Sequence, residues 1–141
     1  MKNLIVSVFS LICLIGICQA EIPSIKCRQD FEAGKLLEEC ILYCEYEAYG
    51  FTNLKYNIKQ KHIDKFLTVL TKYKVVNSNN RKKFEKNFKK CADVALAKYS
   101  TRSCETINYY YTCIIYETDD DLIIDGKFQD AIEAFDKTVK A

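Results

Sequence analysis

Apolar residues recur at helical spacing along the chain and predict an all-α protein. Between residues 61 and 74 they follow the spacing i, i+3, i+4, i+7 and i+10, which places them on one face of an α-helix. Between residues 81 and 99 a second stripe repeats every three or four residues. The chain contains a single proline, and such a scarcity of helix breakers favours helices over many short strands. The two stripes consist of Ile63, Phe66, Leu67, Leu70 and Tyr73, and of Phe84, Phe88, Cys91 and Ala95.

More helices are predicted at residues 25–31, 35–49 and 104–117 and in the last segment of the chain. Gly50 suits the C-cap of the helix at 35–49. Segment 104–117 is apolar or aromatic nearly all round, which is typical of a central, buried helix. We therefore expect five or six helices. The expected inner residues are Leu36, Leu37, Cys40, Ile41, Cys44 and Ala48 in 35–49, and Phe128, Ile132, Phe135 and Val139 in the last helix.

The first 20 residues are typical of a secretory signal peptide. Lys2 precedes an uncharged apolar run, and short side chains follow at Cys18 and Ala20. The run is shorter than the roughly 20 residues that a membrane-spanning helix needs. We predict cleavage after Ala20, secretion, no membrane partner, and one helical domain at residues 21–141.

Six cysteines follow the predicted cleavage site. An even number in a small secreted chain predicts three disulfides, although the spacing alone leaves fifteen connectivities open. A metal site is disfavoured, because the chain has no CxxC motif and only one histidine. We expect neither a metal nor a cofactor. The six are Cys27, Cys40, Cys44, Cys91, Cys104 and Cys113.

Charge is distributed very unevenly along the chain. Residues 55–90 contain twelve basic and two acidic residues, a local balance of +10. The rest of residues 21–141 contains eight basic and seventeen acidic residues, a balance of −9. A net charge near zero therefore hides a strongly dipolar molecule.

The basic residues at 81–90 fall on one side of their predicted helix. The five lysines lie within an arc of about 120°, opposite Phe84, Phe88 and Cys91. An ordinary exposed helix face mixes signs, whereas a one-sign row suits a polyanion that loses condensed counterions on binding. A second lysine stripe lies on the helix at 61–74. The predicted polyanion-binding residues are Arg81, Lys82, Lys83, Lys86, Lys89, Lys90, Lys61, Lys65 and Lys72.

Catalysis has little support in the sequence. His62 is expected to be an exposed residue at a helix start, and the cysteines are committed to disulfides. There is no G-x-S-x-G, P-loop or H-E-x-x-H motif. Tyr109–Tyr111 are expected to pack in the core, and Asp119–Asp121 to form a solvated linker or cap. We therefore expect no enzyme.

Several stretches resemble a known family of proteins. CILYCEYEAYGF, YNIKQKHI, LTKYK, SCETINYYYTCI and KFQDAIEAFDKTV are similar to the fifteen-kilodalton, odorant-binding-protein-like salivary proteins of blood-feeding sand flies. C-x3-C followed by C-x8-C also resembles the insect odorant-binding proteins. The resemblance implies the pairing Cys27–Cys44, Cys40–Cys104 and Cys91–Cys113. It also implies an anticoagulant that binds heparin, dextran sulfate or polyphosphate and so blocks surface-triggered activation of the contact pathway.

Other functions stay open at this point. A small-ligand carrier could sequester a lipid or a biogenic amine in a helical pocket, although the short Cys27–Cys40 gap shortens the helix that walls such a cavity in odorant-binding proteins. A protein-partner inhibitor could use the charged faces. The sequence has no recognisable DNA-binding motif and gives little reason to prefer nucleic acid. It leaves the oligomeric state open.

Overall fold

Six α-helices make up most of residues 21–117 and 126–140, the part of the chain that this computed structural model describes. No strand occurs among these residues, so the predicted all-α class is confirmed. The predicted signal peptide and Asp119–Asp121 lie outside the described residues. The helices are α1 Pro23–Glu32, α2 Ile41–Tyr49, α3 Gln60–Lys72, α4 Arg81–Lys98, α5 Cys104–Glu117 and α6 Lys127–Asp136, with a 3₁₀ turn at Glu38–Cys40.

Aromatic rings fill the core. The rings of Phe51 and Phe66 stack with centroids 3.9 Å apart, and Phe66 meets Phe88 edge-to-face at 5.0 Å. Such pairs contribute about 1 kcal/mol each beyond the burial of their area. The inner stripes predicted for α3 and α4 are buried, apart from the half-buried Tyr73, and Phe128, Ile132 and Phe135 of α6 are also buried.

Three disulfides join the helices. Cys27–Cys44 links α1 to α2, Cys40–Cys104 links the 3₁₀ turn to α5, and Cys91–Cys113 links α4 to α5. This pairing confirms the one that the family resemblance implies. Cys40 and Cys44 attach the α2 region to two different helices, α5 and α1.

The helix predicted at 35–49 is correct only in its second half. Regular α-helix begins at Ile41, and Leu37, expected inside, is 64% exposed. Tyr46 and Tyr49 are buried instead. The cause is the 3₁₀ turn, whose three residues per turn put the preceding positions out of phase with α2. Gly50 ends α2 in the left-handed region at φ 76°, which confirms it as the C-cap.

The helix predicted at 104–117 has the expected bounds but is not buried on all sides. Tyr110 is 1% exposed, and Tyr109 and Tyr111 are half-buried, so their predicted packing role is confirmed. Tyr116, near the end of the helix, is 83% exposed. An all-round apolar pattern therefore overstates the burial of the last turn of α5.

Candidate anion-binding surfaces

Five lysines at residues 82–90 of α4 lie on its outer face. Phe84 and Phe88 are fully buried, and this burial fixes the rotation of the helix. The α4 lysine row, Lys82, Lys83, Lys86, Lys89 and Lys90, is exposed on the other side, as predicted.

The ammonium groups of Lys82, Lys86 and Lys89 make no ion pair with a carboxylate in the described part of the chain. Two ion pairs of the described residues lie elsewhere, where Asp30 contacts Lys26 at 3.2 Å and Lys35 at 3.8 Å. Neighbouring like charges on one helix face repel each other weakly. The row therefore carries positive potential towards solvent.

Asp64 and Glu85 lie at the seam between α3 and α4. The amide nitrogen of Gln60 donates to Asp64 at 2.9 Å and to Glu85 at 3.3 Å. Arg81 donates from Nη1 to the hydroxyl of Thr71 at 3.2 Å. The start of α3 thus lies beside Glu85 and its end beside Arg81, so the two helices run antiparallel. Arg81 belongs to this seam and not to the α4 lysine row.

The lysines of α3 do not continue the α4 row as one surface. Lys61 and Lys65 line a groove on the side of α3 that faces the loop at 51–58, together with Lys55. The ammonium group of Lys65 lies 5.7 Å from the ring centre of Phe135 on α6. Lys72, near the other end of α3, lies 5.4 Å from the ring centre of Tyr73. The nine predicted polyanion-binding residues therefore lie on at least three separate parts of the surface: the α4 lysine row, the seam between α3 and α4, and this groove.

We call the groove beside Lys55, Lys61 and Lys65 the α3 groove. It has a volume of about 600 Å³ and is open to solvent, and Glu47, Leu54 and His62 also line it. Sequence reasoning missed Lys55 as a member of this group. Lys55 lies beside Lys61 and Lys65 only because of how the loop at 51–58 folds. In the sequence, only the clustering of basic residues in 55–90 could have suggested this neighbourhood.

His62 is buried in the groove, where the sequence predicted an exposed residue. The prediction was correct in placing it at a helix start, but only 5% of its surface is exposed. Its Nδ1 accepts a hydrogen bond from the backbone N–H of Lys59 at 3.0 Å and so caps α3. Burial lowers the pKa of His62, and the nearby charges of Lys61 and Lys59 lower it further.

A second cavity, of about 320 Å³, lies where α1, α2 and α6 meet. Asp136 is buried there and accepts hydrogen bonds from Tyr49 Oη at 2.8 Å and from Ser24 N at 3.0 Å. Burial raises the pKa of Tyr49, and the hydrogen bond to Asp136 raises it further, so the hydroxyl stays a donor. Burial also raises the pKa of Glu45, with Asp136 adding to the effect and Arg28 opposing it.

No cluster of histidine, cysteine or acidic side chains in the described part of the chain is arranged to hold a metal ion. Among residues 21–117 and 126–140, none of the helices has the length and apolar character that crossing a bilayer requires.

These features define a small helical protein with three disulfides and a lysine-rich exterior. No family model matches the chain. It is 36% identical to "Salivary protein 15b" and 35% identical to "Salivary protein 15a" of Phlebotomus duboscqi, over 99% of each chain. It is also 34% identical to "Ayaconin" of Lutzomyia ayacuchensis, over 89% of this chain and 84% of that protein. The chain belongs to the sand-fly salivary protein family that contains these relatives.

Proposed function

We propose that the protein is secreted into saliva and binds anionic polymers along the α4 lysine row. The observation that carries the proposal is the outward row of five exposed lysines, with no carboxylate of the described residues paired to Lys82, Lys86 or Lys89. The salivary names of its relatives support secretion into saliva. By covering sulfated or phosphorylated surfaces, the protein would inhibit the contact pathway of coagulation.

The proposed mechanism is electrostatic. A linear polyanion along α4 replaces condensed counterions with ammonium groups, so the logarithm of its affinity falls linearly with the logarithm of salt concentration. Lysines are point charges without the planar fork of arginine. Recognition therefore follows the charge density of the polymer more than its sugar pattern. Neither a bond-breaking step nor a cofactor is involved.

The packing of the core favours this function over a carrier with an internal cavity. The side chains of Phe66, Phe88 and Tyr110 fill the space between α3, α4 and α5, and each is at most 1% exposed. A lipid or amine held inside the bundle would have to displace these rings, which costs several kcal/mol in a close-packed core.

A salt series on immobilised heparin tests the proposal. The Lys82→Glu/Lys86→Glu variant is compared with Lys137→Glu/Lys140→Glu, which makes the same change in net charge away from α4. We expect the parent and the control to elute above physiological salt. The α4 variant should elute much earlier, and its salt slope should be smaller by at least about two, one for each lost lysine.

Contact-activated clotting on an anionic surface provides the functional test. The parent and the control should prolong the clotting time, whereas the α4 variant should not. Elution of the parent at or below physiological salt would contradict polyanion binding. Equal retention of the two variants would show that the α4 lysine row is not the site.

A further inference from the structure

We propose that the α3 groove is a separate binding site for a small amphipathic anion. The ligand carries a phosphate monoester headgroup and a single apolar chain. The headgroup lies among Lys55, Lys61 and Lys65, and the chain lies against Leu54. This goes beyond the polymer binding proposed for α4, because both the residues and the class of ligand differ.

The size and lining of the groove suit a small molecule. Its volume of about 600 Å³ falls within the range of roughly 300–1,000 Å³ found for ligand pockets. Residues from the end of α2, the loop at 51–58 and the first turns of α3 all contribute to its walls. A long polymer needs an extended surface, whereas a groove with walls from three segments has room for a compact headgroup.

The charges of the lining favour a doubly charged anion. Three lysines and one acid, Glu47, face the groove, and the lowered pKa of His62 keeps that ring neutral at pH 7. The lysines repel one another in the empty groove, so a divalent headgroup relieves repulsion and also gains charge-assisted hydrogen bonds. Because Glu47 would repel the same headgroup, we place the headgroup at the lysine side.

An apolar rim beside the lysines favours an amphipathic ligand over a bare ion. Leu54 lies in the lining and is 77% exposed, the second-largest exposure among the large hydrophobic residues of the described chain. The methylene stem of Lys65 passes close to Gly50, since a methyl group added at that glycine would lie 3.8 Å from the Lys65 Cγ. Leu54 and the lysine stems thus provide apolar surface next to the charges, along which an alkyl chain can lie.

The loop that forms one wall is braced by hydrogen bonds within it. Thr52 Oγ1 donates to the Asn57 carbonyl at 3.0 Å, and Asn53 Oδ1 accepts the N–H groups of Lys55 and Asn57 at 3.0 and 3.1 Å. Tyr56 adopts a φ of 54°, which is costly for a residue with a side chain. A wall that is fixed before binding lowers the entropy lost when a ligand binds.

His62 provides a spectroscopic reporter for the test. It is the only histidine in the chain and it lines the groove, so its Hε1 signal reports directly on this site. An anion bound at the lysines favours the imidazolium form and raises the pKa of His62. A polymer bound along the α4 lysine row would lie outside the α3 groove. It should therefore shift the His62 signal much less.

The probe is decyl phosphate below its micelle concentration, with inorganic phosphate and a neutral decyl maltoside as comparisons. We expect saturable 1:1 binding of decyl phosphate, with a rise in the pKa of His62. Inorganic phosphate should bind about tenfold or more weakly, and the maltoside should not shift the His62 signal. Equal binding of phosphate and decyl phosphate would overturn the amphipathic assignment, and equal binding of decyl phosphate and maltoside would overturn the role of the lysines.

Three variants locate the site. Lys61→Glu/Lys65→Glu should weaken decyl phosphate binding by about tenfold or more, which is the loss expected for charge-assisted hydrogen bonds. Leu54→Ser should weaken binding of decyl phosphate but not of inorganic phosphate. Lys82→Glu/Lys86→Glu should bind decyl phosphate as the parent does. Unchanged binding in the first variant, with an unaltered circular dichroism spectrum, would overturn the proposal.

Discussion

The hydroxyl of Tyr49 donates a hydrogen bond of 2.8 Å to the carboxylate of Asp136 and so joins α2 to the end of α6. The same carboxylate accepts the backbone N–H and the hydroxyl of Ser24 on α1. None of the three disulfides reaches α6. This network therefore attaches α6 to α1 and α2, which Cys27–Cys44 links to each other.

Replacing Asp136 tests how much that hydrogen-bond network contributes to stability. Asp136→Ala leaves three donors without their charged acceptor, and we expect the free energy of unfolding to fall by about 3 kcal/mol. Asp136→Asn keeps the shape of the side chain and one oxygen that can accept hydrogen bonds. Its free energy of unfolding should therefore fall by less. Urea unfolding of both variants measures the difference. A change below about 0.5 kcal/mol in Asp136→Ala would contradict a structural role for the carboxylate.

Two buried tyrosines offer a matched comparison. The hydroxyl of Tyr46 has no hydrogen-bond partner among the described residues, whereas that of Tyr49 donates to Asp136. Tyr46→Phe removes an unpaired polar group from the core, so stability should stay the same or rise by about 1 kcal/mol. Tyr49→Phe removes a hydrogen bond to a charged group and should cost about 2 kcal/mol. The same urea measurement serves for both, and a larger loss in Tyr46→Phe would reveal a partner for its hydroxyl.

The amphipathic helices were predictable because their periodicity is a local property. Phe84 and Phe88 determine which side of α4 faces the core, and the lysine row follows from the same repeat. The start of α2 was not predictable in this way. Gly34 and the 3₁₀ turn shift the phase of the chain, so Leu37 is exposed although the pattern placed it inside.

The candidate surfaces depended more on tertiary contacts. The sequence grouped Lys61 with Lys82, yet the fold turns Lys61 towards the loop at 51–58. It also expected His62 to be exposed, because periodicity carries no information about a side chain that caps its own helix through Nδ1. The density of charge along the sequence predicts where the basic region lies. That this region forms separate surfaces follows only from the packing of α3 against the loop, which the sequence does not show.

The disulfides should differ in their contributions to stability. Cys40–Cys104 spans 64 positions of the chain, whereas Cys27–Cys44 spans 17. In the loop-entropy model, removing the first costs about 4 kcal/mol and removing the second about 3 kcal/mol. Paired serine variants, unfolded in urea under identical conditions, compare the two. A larger loss for Cys27→Ser/Cys44→Ser would show that local packing of α1 outweighs the entropy of the long loop.

The burial of His62 makes stability depend on pH. Burial, with Lys61 and Lys59 nearby, holds the folded-state pKa below the ordinary value of 6.5, so between these two values the unfolded chain binds more protons. The contribution of neutral His62 to the free energy of unfolding is fully present above pH 6.5. It is lost as the pH falls from 6.5 through the folded-state pKa. Protonation of Nδ1 also removes the acceptor for the Lys59 N–H.

An NMR titration of the Hε1 signal should therefore give a midpoint below 6.5. Urea unfolding between pH 7.5 and 5 should show a steeper loss of stability in the parent than in His62→Gln, which cannot titrate in this range. Because the carboxylates are the same in both proteins, their effects on the pH dependence largely cancel in the difference between the two curves. A midpoint at or above 6.5, or equal slopes, would contradict the burial of a neutral His62 at the start of α3.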